Sequence, residues 1–308
     1  MKEKLAALTF AERCKNILAA NCQAYLNTIK ADAKGSKDEI HTSKIHYMFK
    51  KGKPYIWVKE GDLHNVNVIL DERASLSVSA VVPSSLMKLL RSMGKAPARV
   101  ALGGDVIPLK DGKVQALTEG LRHHLQKEED YASHSSYAVS TILSSASINC
   151  RSRIETFQEI LDQKSSYVAH KFNISSCSYV DGSGNIHDVE VQDVQAPKAD
   201  LLFPFAEKLI DGINQSQTRR RALMLFCLEY YNAHARDALM LSIDEYGFDV
   251  LAKVAESMGS NAQCPHYVWK ELRFSFKEEA ADLEAFCNLL VGLEEEVLQS
   301  VRSYSGLC

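Results

Sequence analysis

The chain has 308 residues, 46% hydrophobic and 24% charged, the make-up of a soluble globular protein with room for one large domain or two ordinary ones. A formal net charge of −3 excludes any bulk electrostatic pull toward nucleic acid, and no apolar run of about 18 residues offers a membrane-spanning helix. Eight cysteines, none in a C-x-x-C pair, argue against a zinc ribbon or a secreted disulfide framework and for a reducing compartment.

The opening MKEKLAALTF carries charges and a helix cap but no signal-peptide core. Thr9 with Glu12 three residues later is a capping box, and Phe10, Cys14, Ile17 and Leu18 give the helix after it an apolar stripe. A strand is expected near Ala24–Ile29, then a polar loop at "ADAKGSKDE". A hairpin follows, Ile45–Phe49 and Pro54–Val58 around Lys50-Lys51-Gly52-Lys53. On its first strand Ile45 and Tyr47 share one face, which leaves Lys44 and His46 on the other; His41 and His46, five apart, lie on opposite faces and cannot chelate one ion together.

"DLHNVNVILDERASLSV" then places His64, Asn65 and Asn67 in what reads as a polar loop before a strand over Ala74–Val82. That strand alternates Leu76, Val78 and Ala80 with Ser75, Ser77 and Ser79, one buried face and one open face. The blander reading of the loop is a set of side chains closing a turn. Arg73 has a ready ion-pair partner in Asp71 or Glu72. A helical piece at Leu86–Ser92 precedes the strand "RVALGGDVIPL", whose Gly103-Gly104 pair signals a bulge or a close backbone approach.

Residues 114–129 read as a helix. The serine-heavy stretch after it is either a flexible excursion or an apolar surface element. Another helix is expected near Arg151–Gln163, then a strand with Val168, His170, Phe172 and Ile174 on one side, His170 reading as a core histidine. "DGSGN" is a hairpin turn and "QDVQAPKAD" a linker. From about residue 203 come two helices, three strands and a last helix with Leu283, Phe286, Cys287, Leu290, Val297, Leu298 and Val301 along one stripe. His266 stands in the loop before the third of those strands. The expected fold is α+β: an N-terminal antiparallel split β-barrel over residues 1–200, with a serine-rich insertion at about 130–150, and a smaller α+β domain over 201–308. No G-x-S-x-G, Walker loop or Rossmann glycine pattern occurs.

The order of "FAERCKNILAANC", "GKPYIWV", "DLHNVNVILDERASLSV" and "RVALGGDVIPL", followed by "LIDGIN", "RDALMLSIDEYGFDVLAKV" and "ELRFSFKEEAADLEAFCNLLV", resembles the pyridoxamine phosphate oxidase-like split barrels. Within them it is most similar to the HugZ-type haem-degrading branch and its plant chloroplast relatives. The resemblance implies a homodimer with haem at its interface, oxidative haem degradation, and a place in tetrapyrrole metabolism in the chloroplast. It implies propionate contacts from Lys44, Arg73 and Arg99, ligand-groove positions for His41, His46 and His64, and an iron ligand drawn from His64, from His266 or from water. Two departures stand out. Where relatives carry Met-Asn-x-Asp-His this chain has Ile213-Asn214-Gln215-Ser216-Gln217, without the acid or the histidine. Thr42, Ser43 and Lys44 could meet an FMN phosphate, but no Arg-x-Val-Leu-type strand accompanies them, so haem is favoured over FMN. The lost motif also suits a non-catalytic partner of a tetrapyrrole-pathway enzyme, as in the proteins that bind glutamyl-tRNA reductase.

Overall fold

The computed structural model describes residues 8–32, 35–133, 136–146, 153–162, 167–196, 202–256 and 266–305. The chain divides into two compact units: Met1–Val81, Met87–Ser133 and Arg151–Asp200 form the first, and Val82–Leu86, His134–Cys150 and Leu201–Cys308 the second.

The first unit opens with α1 (Phe10–Ala20), started by the capping box in which Thr9 and Glu12 bond reciprocally. Then come β1 (Gln23–Asp32), β2 (Gly35–Lys50), β3 (Lys53–Lys59), α2 (His64–Leu70), β4 (Arg73–Ser79), α3 (Ser84–Ser92), β5 (Arg99–Pro108), α4 (Asp111–Ser133) and, after a helix α5 (Tyr137–Leu143) of the second unit, α6 (Arg153–Asp162), β6 (Tyr167–Val180), β7 (Ile186–Val189) and α7 (Val191–Gln195). Every strand pairing is antiparallel. The sheet runs β3-β2-β1-β4-β5-β6-β7, and a further pairing of β3 with β6 closes β1–β6 into a six-stranded barrel, the split-barrel fold expected.

Strand alternation sets the barrel's two faces. Leu26, Ile45, Tyr47, Ile56, Leu76, Val78, Leu102 and Phe172 fill the inside, and the Tyr47 hydroxyl donates to the Leu18 carbonyl of α1. Over β2, β3 and β6 the outside is covered as well: Met48, Trp57 and Ala169 meet Leu117, Leu121 and Leu125 of α4 and Phe157 and Ile160 of α6. The bulge falls where expected, a register shift between Gly103 and Gly104 opposite β6.

Three local expectations are corrected. The described residues of "ADAKGSKDE" are strand, not loop, for β1 and β2 continue pairing through Ala31 with Ser36 and Asp32 with Gly35, since a backbone ladder does not need apolar side chains; residues 33 and 34 lie outside the described residues. "QDVQAPKAD" begins as a single helical turn, α7, because it buries Val194; residues 197–200 lie outside the described residues. The polar loop at His64 is the helix α2. Its buried residues are His64, Asn67 and Val68, the i, i+3, i+4 set of one helical face. Docking that face overrides the weak helix propensity of two valines and an isoleucine.

In the second unit α8 (Ala206–Gln215), α9 (Gln217–Tyr231) and α10 (Leu283–Ser305) pack with a three-stranded antiparallel sheet ordered β10-β9-β8, made by β8 (Ala235–Asp244), β9 (Gly247–Ala255) and β10 (Tyr267–Ser275). Phe226, Phe248, Phe274, Phe276 and Phe286 form a connected aromatic core. The described part of the serine-heavy stretch forms α5, with Val139 and Ile142 buried. Helix α8 crosses α5 so closely that a Cβ on Gly212 would fall 2.1 Å from the Ile142 carbonyl oxygen. Leu298 leaves the expected stripe of α10 and is 43% exposed.

Candidate functional site

At one end of the barrel α2 lies against β1 and β2 and brings together His41, Asp62 and His64. Their ligand atoms lie within 4.8 Å of one another, a grouping of the metal-binding kind among the described residues. His41 pairs across the ladder with Thr28, whose buried side chain belongs to the barrel's inner rows. The His41 Nε2 and Asp62 Oδ1 atoms are 3.0 Å apart. Asp62 Oδ1 also accepts the His64 backbone N–H at 3.0 Å, an Asx turn opening α2, and Oδ2 accepts the Ser43 hydroxyl at 3.0 Å.

His64 is 1% exposed. Its Nδ1 lies 2.8 Å from Thr28 Oγ1, which also accepts from Asn67 Nδ2 at 2.9 Å; Asn67 Oδ1 in turn accepts the Ala31 N–H at 3.0 Å. The second ring nitrogen, Nε2, is buried and has no hydrogen-bond partner among the described residues. Burial pushes the His64 pKa down to about 4; the Asp62 charge opposes that, and His41 and His170 reinforce it. Burial works against the Asp62 carboxylate too, but the His64 N–H, the His41 ring and the Ser43 hydroxyl outweigh it and hold its pKa below the usual carboxylate value.

The outer face of the same wall is different. Two cross-strand rows run over it, Lys44–Tyr25–Ser77–Ala101–Ser178 and Thr42–Asn27–Ser75–Gly103–Ser176. Apart from Tyr25 and Lys44 these are short side chains. A Cβ on Gly103 would fall 2.5 Å from Ser176 Oγ. Arg99, paired with Ser79 and Val180, is two residues before Ala101 and shares its face. His46 likewise shares the face of Lys44, and its ring meets the edge of Tyr167 at 6.1 Å. The sequence-derived separation of His41 from His46 therefore holds: one histidine is on the inner side of β2, the other on the outer side. Beside the barrel end, Ile40, Leu63, Val66, Ile69 and Leu70 are exposed apolar side chains on β2 and along α2.

Arg73 and His266, also singled out in the sequence, are engaged by other side chains. Arg73 forms a two-point ion pair with Asp71, Nε to Oδ1 at 2.9 Å and Nη2 to Oδ2 at 2.6 Å. His266 belongs to the second unit, where its Nδ1 meets Glu256 at 3.2 Å on an exposed surface. His170 is a core residue as expected, and burial lowers its pKa. In the stretch that replaces Met-Asn-x-Asp-His, Asn214 is buried and bonds both backbone groups of Met240, and Ser216 caps α9. Those residues perform structural work. Sequence reasoning missed Asp62 and Thr28; the D-x-H spacing of an Asx turn was the available signal for the first, and Thr28 gave none.

No family model matches the sequence, and no curated protein matches it. Among solved structures the chain is similar to a heme binding protein from Mycobacterium smegmatis, at 18% identity and a TM-score of 0.56, over 96% of this chain and 100% of that one. At such identity the likeness is one of fold, and it spans both units. Weaker matches are the protein Atu2129, of unknown function, from Agrobacterium tumefaciens, at 13% identity and TM-score 0.40 over 95% of this chain and 98% of that one, and Campylobacter jejuni ChuZ, at 12% and 0.40 over 66% and 70%.

Proposed function

We propose that this protein binds haem between the open barrel faces of two copies and supports its oxidative breakdown. The observation that carries the reading is the pair of short-side-chain rows over β1, β4, β5 and β6, with the bare Gly103 at their centre. A planar ring system can lie close to such backbone, and a second copy across it would exclude water. Lys44 and Arg99, both exposed on that face, are the cations for the propionates; His46, on the face of Lys44, is the nearest imidazole. The fold shared with the Mycobacterium smegmatis heme binding protein supports haem as the ligand. When bound, haem would supply an iron able to activate oxygen. The chain's own part is to hold the ring, neutralise its carboxylates and limit access of solvent.

Titration of the purified protein with haem should give a Soret band that saturates at micromolar haem, with one haem per chain and a mass of two chains. Lys44→Ala with Arg99→Ala should weaken binding by about tenfold or more, the loss of one or two exposed charge-assisted contacts. With ascorbate and oxygen the band should decay. A folded protein that gives no Soret band at micromolar haem overturns the reading.

A further inference from the structure

We propose that His41, Asp62 and His64 form a zinc site at the α2 end of the barrel, separate from the haem face. Two imidazoles and a carboxylate are a donor set suited to Zn²⁺, and three protein ligands leave a fourth position for water. The geometry is close to what the ion needs. Ligand atoms around a tetrahedral zinc stand about 3.4 Å apart. His41 Nε2 and Asp62 Oδ1 are already 3.0 Å apart, and the whole set lies within 4.8 Å. A rotation of the His41 side chain, about one-fifth exposed, is the adjustment left, because Ser43 and the His64 N–H already hold the Asp62 carboxylate.

The independent observation is the state of His64. A ring that is 1% exposed, with Nε2 lacking any partner among the described residues, leaves a buried polar atom unsatisfied, which is unfavourable. A cation on Nε2 removes that deficit. The groups behind the three residues fit as well. Thr28 Oγ1 has two lone pairs; one accepts from Asn67, and the other is available to an Nδ1–H of His64. With Nδ1–H donating to Thr28, Nε2 carries the free pair, the tautomer that a metal on Nε2 selects. Ser43 donates to the Asp62 oxygen away from His41, and the His64 backbone N–H orients the other. Ligand histidines and carboxylates are habitually held by such outer contacts.

The 308-residue chain, stripped with chelator and dialysed, would be titrated with zinc chloride by calorimetry, with cobalt(II) as a visible-absorbing probe. One zinc per chain is expected, along with the intense visible bands of tetrahedral cobalt. His41→Gln, on the accessible side, and His64→Gln should each abolish both signals while far-UV circular dichroism stays unchanged. Thr28→Val should weaken binding by about 10–100-fold, as loss of an outer-shell partner does. The proposal is overturned if the folded protein takes up no stoichiometric zinc, or if the zinc it takes up survives His41→Gln and His64→Gln. Haem titration of the same variants separates this outcome from failure of the haem reading, since neither histidine lies on the haem face.

Discussion

The two sides of the barrel wall over β1, β4 and β5 are built from alternate residues of the same strands, yet they obey different rules. Inside, Leu26, Leu76 and Leu102 line up across three strands and are buried. One step away, Asn27, Ser75 and Gly103 form a row in which nothing is large enough to pack. The inner side holds the fold together. The outer row is joined by exposed hydrogen bonds, Asn27 to Ser75 and Thr42 to Asn27, and not by packing. The lesson is that period-two patterning divides labour within a single strand, so a residue's parity says more about its role than its position does.

The largest test of that division is Leu76→Ala, expected to cost about 2–5 kcal/mol in denaturant unfolding, whereas its neighbour Ser77→Ala should stay within about 0.5 kcal/mol. Equal effects at the two positions would break the comparison. Next comes pH. His64 titrates near 4 in the folded chain and near 6.5 in the unfolded one. Between those values the unfolded chain takes up a proton that the folded chain refuses. Stability is therefore complete above pH 6.5 and falls as pH drops toward 4, by about 3 kcal/mol in all. His64→Gln should flatten that slope in a series of urea melts.

A smaller contrast lies in the adjacent glycines. At Gly104 a Cβ would meet the Asn173 carbonyl oxygen at 2.0 Å and the Phe172 ring at 2.9 Å, fixed backbone and core. Gly104→Ala should thus destabilise by about 1–3 kcal/mol. At Gly103 the obstacle is the Ser176 hydroxyl, which can rotate away. Gly103→Ala should leave the melting temperature nearly unchanged and act instead on haem affinity. The smallest effect is expected at Arg73, whose exposed pairing with Asp71 should make Arg73→Ala indistinguishable from the parent in a thermal melt.

Much of this was legible in the sequence because parity and turn chemistry are local. Leu76 against Ser77, His41 against His46, the Thr9–Glu12 cap and the bulge at Gly103-Gly104 follow from spacing alone. The inner cluster was half legible. His64 stood out, but "HNVNVIL" reads as readily as strand or loop, and only docking against β1 makes it a helix. Thr28 was hidden because its partner His64 is 36 residues away, and the local turn at Asp62 gave no sign of His41, 21 residues away. No periodicity within a short window can report a meeting set by barrel closure.

Strand β8 is an edge of the second unit's sheet, and an edge is an invitation for another chain to add itself. At Met240 that invitation is withdrawn. The Asn214 amide takes the outward N–H at 2.7 Å and the carbonyl at 2.9 Å, as a neighbouring strand would. One side chain thus impersonates a peptide unit and closes the border. Removing it, as in Asn214→Ala, leaves the Met240 N–H and carbonyl unpaired in a buried place and should lower stability by about 1–3 kcal/mol in urea unfolding.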